Sequence, residues 1–199
     1  MTANQGIFEK DQTAIVTIDI QLDYFRGGKF PLWRAKRALR QNRRLLDWAR
    51  TEGLPIWHVQ HFGLRPEGKF LTQGSAGTAL HPGLAIRANE GIVPKHFPNS
   101  FRETTLEQEL RQRGITTVIW TGMITWMCVD TTVRAAFDLG FRNILIKDAT
   151  AAGWLYRKWG KIPLVVPPWR SQSAFIAAIG FVHAKVMGLQ EFLGRADQG

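Results

Sequence analysis

Short β-branched runs alternate with stretches of helical periodicity along this chain, and that alternation narrows its folds more than any other feature. Thr13–Ile18, Leu54–Val59, Gly91–Pro94, Thr117–Trp120 and Asn143–Ile146 read as strands, with Lys185–Met187 as a short sixth. Between them, apolar residues recur at helical spacing from Pro31 to Gly53 (Leu32, Ala35, Leu39, Leu45, Leu46, Ala49), and again from Val129 to Gly140. Pro31 suits the first helical positions, and Thr104 with Glu107 forms a capping box for a helix ending near Arg113. Ser171–Val182 is a last apolar-rich helix. Strand and helix in alternation predict an α/β fold with a parallel sheet. TAIVTI, almost without a polar residue, suits a strand covered on both faces. At 199 residues, one core and a single domain over residues 1–199 are expected.

Cys128 is the only cysteine, so no intramolecular disulfide can form, and a reducing compartment is expected. The N-terminal MTANQGIFEKDQ lacks an apolar signal core. No apolar run approaches the ~20 residues needed to cross a bilayer. The expectation is a soluble cytoplasmic protein without a membrane partner. With 26 Lys and Arg against 16 Asp and Glu, the charge is +10, which raises nucleic acid as a partner. Much of the excess lies between Arg34 and Arg50, on the polar side of one predicted helix. No aromatic-interleaved basic motif, zinc-finger spacing or basic tail accompanies it, so a solvated helix face is expected and nucleic acid is not.

Ligands of open α/β sheets bind beyond the carboxyl ends of the strands. Asp19 follows the first strand, Lys95 the third, and Cys128 comes just after the fourth, at or near the first turn of a helix. A helix N-terminus favours an anion, which would stabilise the thiolate near neutral pH. Placement alone leaves other readings open: a small core hydrophobe for Cys128, a loop-ordering carboxylate for Asp19, a solvated amine for Lys95. As a unit, however, the three make chemical sense. A thiolate attacks a carbonyl carbon, a carboxylate moves the proton, and an ammonium favours the charged states of both. Backbone N–H groups around the Cys128 turn would hold the oxyanion.

The loop from Gln60 to Ile86 holds His61 and His81. In HVQH the odd spacing of His58 and His61 points them to opposite faces of a strand, which argues against their sharing a metal. Gly27 and Gly28 mark a turn and form no dinucleotide fingerprint. Trp154 to Trp169, WLYRKWGKIPLVVPPW, has no clear period and reads as an ordered loop on the edge that carries the three groups. Three uses stay open for it: core packing, a pocket wall or an oligomer contact.

IDIQLDYF, GIVPKHFPNSF and TGMITWMCVDTTVRAAFDLGF with KDATAA, in that order and spacing, resemble the motifs of the isochorismatase-like cysteine hydrolases. The resemblance runs from about Ala14 to Phe192. It implies a Rossmann-like, three-layer, doubly wound fold with a mainly parallel six-stranded sheet, and a catalytic set of Asp19, Lys95 and Cys128. It also implies a cis peptide between Met123 and Ile124, with the Ile124 and Cys128 N–H groups as the oxyanion hole. Phe25, Trp126, Trp154 and Trp159 are the candidates for substrate contact. Nicotinamidases of the family carry Asp-x-His and a further His as metal ligands after the second strand. Here His61 and Gly63 stand at the first two places, so neither a metal nor another cofactor is expected. Isochorismatases proper act on a vinyl ether and can lack the cysteine, so Cys128 favours hydrolysis of a carbon-nitrogen bond. The resulting expectation is a cysteine amidohydrolase of small amide, ureido or carbamoyl compounds, assembled as a homo-oligomer. A vinyl-ether hydrolase and a catalytically silent small-molecule binder are the alternatives.

Overall fold

The computed structural model describes residues 8–64 and 70–196, apart from the side chain of Trp159. Six strands form one sheet: β1 (Thr13–Ile18), β2 (Ile56–His61), β3 (Gly91–Lys95), β4 (Thr117–Met123), β5 (Arg142–Ala151) and, last in the chain, β8 (Lys185–Met187). Their order is β3-β2-β1-β4-β5-β8 and every pair is parallel. The chain builds outward from β1 through β2 to β3, then returns to the other side of β1 with β4. The reversal leaves a crevice beyond the carboxyl ends of β1 and β4, where an open sheet binds its ligand.

Side chains alternate across each strand, and β1 shows how the two faces separate. Ile15 joins Ile56, Ile119 and Ile144 in a core under α1 (Ala35–Thr51) and α5 (Leu189–Ala196), which contribute Leu45, Leu46 and Phe192. Ala14, Val16 and Ile18 face the opposite core, with Val118, Trp120 and Leu145. Over that face lie α2 (Leu106–Gln112), α3 (Asp130–Asp138) and α4 (Pro168–Val182), which supply Leu110, Val133 and Ile179. The layers are those of a doubly wound α/β fold. No helix among the described residues is long and apolar enough to cross a membrane.

Gly122 sets how closely β1 and β4 approach at the crevice. It pairs with Ile18, has φ +120°, and a Cβ there would lie 2.0 Å from the Ile18 carbonyl oxygen. Only a residue without a side chain fits.

Several boundaries differ from the sequence reading. α1 begins at Ala35 rather than near Pro31, because Leu32 and Trp33 are held extended by N–H bonds to the Tyr24 and Ala152 carbonyls. The Thr104/Glu107 capping box does not form. Thr104 Oγ1 donates to the Ser100 carbonyl at 2.6 Å, Glu107 pairs with Arg111, and the helix starts at Leu106. β5 continues past Lys147 and Asp148, since its second half pairs again with β4 at Gly122 and Met123. Trp154–Trp169 is not a loop: β6 (Leu155–Trp159) and β7 (Ile162–Val166) form an antiparallel hairpin, a two-stranded sheet of its own. Gly160, at φ +62°, turns the chain between them, and β-branched and aromatic side chains favour the extended state on either side.

Candidate active site

The three residues singled out at strand ends meet in space. Asp19, immediately after β1, has φ +51°, and its N–H is held by the Val59 carbonyl at 3.0 Å. This turn aims a fully buried carboxylate across the sheet edge. Lys95 ends β3, is 1% exposed, and places Nζ 2.9 Å from Asp19 Oδ2. Cys128 is equally buried, within the one-turn π segment Thr125–Val129 that links β4 to α3.

A fourth member completes the group. His61, the last residue of β2 and the register partner of Lys95, sets Nδ1 3.2 Å from Lys95 Nζ, 3.8 Å from Asp19 Oδ2 and 3.9 Å from Cys128 Sγ. His58 points the other way, to Thr17 at 2.8 Å and Glu90 at 3.0 Å, as the odd spacing required. His61 was missed as a member because the expected strand stopped at Val59, two residues short of the register that pairs it with Lys95. Gln21 clamps this position. It accepts from the His61 N–H and donates to the His61 and Thr78 carbonyls, each at 2.8 Å.

Burial dominates the electrostatics. It works against charge on Lys95, but Asp19, followed by Cys128, outweighs it and holds the ammonium above its ordinary range. Lys95 Nζ also donates to the carbonyls of Phe97 at 3.1 Å and Pro98 at 3.2 Å. The Asp19 contact, through Oδ2, is a buried ion pair, and Asp19 Oδ1 is buried without a hydrogen bond. His61 is pushed down to about 4, first by burial, so it is neutral at pH 7 and accepts at Nδ1. Tyr24, buried beside the group, has its phenol raised well above the ordinary value by burial and by the neighbouring Cys128 and Asp19.

The thiol contradicts the expectation of a resting thiolate. Burial and the Asp19 charge push Cys128 up to about 12, against the opposing effect of Lys95. Cys128 does lie in the first turn of the helical run that Thr125–Val129 and α3 make together, but burial and the Asp19 charge outweigh the favourable helix end.

Asp19, His61 and Cys128 each bring one ligand atom within 4.8 Å of the others, a geometry that could hold a metal. Lys95 Nζ is already among them, and its charge opposes a divalent ion.

Ile124 opens the π turn, its carbonyl accepting from Met127 at 3.0 Å and Val129 at 3.2 Å, and the Met123–Ile124 peptide is cis. Thr125 Oγ1 ties the turn to the Ala151 carbonyl at 3.0 Å. Of the substrate-contact candidates, Phe25 packs on His81 with ring centroids 4.3 Å apart and lines a cavity of about 510 Å³ with Leu22, Arg26, Ser75 and Ala76. Trp126 is half-buried and donates to the Gly153 carbonyl at 3.1 Å. Trp154 pairs edge-on with Trp169 at 5.9 Å and is half exposed. The Trp159 side chain lies outside the described part of the structure.

Residues 13–155 match the isochorismatase domain family. The uncharacterised isochorismatase family protein YddQ of Bacillus subtilis (strain 168) is 34% identical over 181 residues, spanning 91% of this chain and 98% of that protein. A crystal structure described as an isochorismatase hydrolase from Oleispira antarctica superposes with a TM-score of 0.85 at 36% identity, over 95% of this chain and all of the other. The ureidoacrylate amidohydrolase RutB of Variovorax paradoxus (strain S110) is 36% identical over 104 residues, 49% of this chain and 41% of that protein. This chain belongs to the isochorismatase family and is a hydrolase of that family.

Proposed function

We propose that this hydrolase cleaves the carbon-nitrogen bond of a small amide, ureido or carbamoyl compound, with Cys128 as nucleophile, Asp19 as proton carrier and Lys95 as electrostatic partner. One observation carries the reading: a buried carboxylate, paired with Lys95 through Oδ2 and free at Oδ1, lies within 4.8 Å of a buried, neutral thiol. With the thiol at about 12, thiolate at pH 7 amounts to roughly one molecule in 10⁵, too little to attack as a preformed ion. The proton therefore passes to Asp19 as Sγ bonds to the carbonyl carbon. The N–H groups of Ile124 and Cys128 receive the developing oxyanion. As the tetrahedral centre collapses, the bond to nitrogen breaks and Asp19 returns its proton to the departing amine, leaving an acyl thioester. Asp19 then takes a proton from water, which attacks the thioester, and the proton passes to sulfur as the acid leaves. Lys95 Nζ supplies the positive charge that the ionised intermediates need. Phe25 and Trp126 flank the substrate.

The amidohydrolase activity in RutB's name supports the choice of bond. A panel of simple amides, ureides and carbamates, with a vinyl ether beside it, tests the reading through ammonia or amine release and through intact-mass detection of an acyl adduct on Cys128. Amine release that disappears in Cys128→Ser is expected. Turnover of the vinyl ether alone would overturn it.

A further inference from the structure

β8 is only three residues long, and its pairing with β5 stops at Ile146. Beyond that point β5 keeps β4 on one side and, among the described residues, has no strand on the other. A cleft of about 240 Å³ opens there, walled by one face of α1 and one face of α4. Arg34, Arg37 and Ala38, three and four positions apart, come from the start of α1, and Trp169, Ser173 and Ile176 from α4. Asp19, His61, Lys95 and Cys128 take no part in it.

Three cations line the cleft against one carboxylate: Arg34, Arg37 and Lys147 against Asp148. Asp148 is engaged elsewhere, accepting from the Leu189 N–H at 2.8 Å and from Gln41 Nε2 at 2.9 Å. Among the described residues, the side chains of Arg37 and Lys147 have no hydrogen bond and no ion pair. Arg34 rests its guanidinium 4.2 Å over the Trp33 ring, with its N–H donors unspent. Arg111, Arg134 and Arg195, by contrast, each pair with a carboxylate one helical turn away. Like charges gathered around a concave surface repel one another, and a bound anion relieves them.

We infer that this cleft is a second ligand site, which takes a small aromatic anion: a single flat ring carrying a carboxylate or phosphate group. Arg37 and Lys147 receive the anionic group, the guanidinium as a planar fork and the ammonium as a point charge. The ring lies against Trp169, whose indole is 48% exposed. That indole is held in place before any ligand arrives, between Trp33 at 6.2 Å and Trp154 at 5.9 Å. A fixed aromatic surface loses little freedom on binding. Size limits the ligand to one ring, since a cavity of about 240 Å³ falls below the ~300–1,000 Å³ of pockets that hold drug-sized molecules.

Isothermal titration calorimetry of the full chain with phenyl phosphate and with benzoate tests the inference. Benzyl alcohol, the ring without the charge, and inorganic phosphate, the charge without the ring, are the controls. Both aromatic anions should bind saturably at one site per chain, and both controls at least about tenfold more weakly. Arg37→Gln combined with Lys147→Gln should weaken the aromatic anions by at least about tenfold with unchanged circular dichroism, both side chains being exposed. Trp169→Leu should weaken them several-fold. No saturable heat up to on the order of 10 mM ligand would overturn the inference. So would binding that survives the double substitution, since the anion would then sit elsewhere, or inorganic phosphate binding as tightly as phenyl phosphate. The readout involves no turnover, so it stands or falls separately from the reaction proposed for Cys128.

Discussion

Lys95 Nζ approaches Asp19 Oδ2 to 2.9 Å, yet directs hydrogen bonds to the Phe97 and Pro98 carbonyls and to His61 Nδ1. The lysine thus neutralises the carboxylate from the Oδ2 side and leaves Oδ1 without a hydrogen bond. A buried pair of this kind is costly to break from one side, because the remaining charge has no partner.

Lys95→Met should therefore destabilise the fold by about 3–5 kcal/mol in urea unfolding. Asp19→Asn with Lys95→Met, which removes both charges, should recover most of that loss. Both forms should lose at least ~10²-fold in kcat/KM. A double variant with turnover within threefold of wild type would remove the pair from the mechanism.

Reactivity and turnover of Cys128 should part company in Asp19→Asn. The carboxylate is one of the two effects that raise the thiol, burial being the larger, so removing it lowers the thiol pKa while Lys95 remains. Iodoacetamide labelling near pH 8 should become faster than in wild type while substrate turnover falls. If labelling slows along with turnover, Asp19 is not what holds the proton on sulfur.

Acid should weaken the fold in two windows. His61 has a folded value of about 4 against 6.5, so the unfolded chain binds the proton first. Its contribution is complete above pH 6.5 and is lost as pH falls towards 4. Glu90, only 3% exposed at its side chain and bonded by Arg50 and His58, is held at about 2 against 4.5 despite the upward push of burial. Its contribution is complete above pH 4.5 and is lost as pH falls towards 2. Each window is worth on the order of 3 kcal/mol. Urea midpoints across pH should flatten between 6.5 and 4 in His61→Gln, and between 4.5 and 2 in Glu90→Gln. Unchanged slopes would show that neither group titrates as placed.

Gly122→Ala should be among the most damaging single changes in the sheet. The added methyl would meet the Ile18 carbonyl at 2.0 Å, at a φ of +120° that alanine avoids. Thermal unfolding should fall well below wild type, and a change of less than a degree or two would mean that β1 and β4 part easily at the crevice.

Periodicity made the layers legible. A strand buried on both faces must be apolar nearly throughout, as TAIVTI is, and a helix lying on such a sheet must repeat its apolar residues every three or four positions. Asp19, Lys95 and Cys128 were legible for the same local reason. Each stands at a break in an apolar run, and parallel strands bring those breaks to one edge. Tertiary structure alone decided the rest, because it turned on cross-strand register and on exclusion of water. His61 joins the group through its pairing with Lys95 across two strands. Cys128 stays protonated because desolvation and the Asp19 charge outweigh both Lys95 and the helix end at which the thiol sits. Tyr156 to Val165 form an exposed hairpin rather than a core, because no element among the described residues covers the apolar side chains described there. Composition states that these residues are apolar; only the packed chain shows which of them are left facing water.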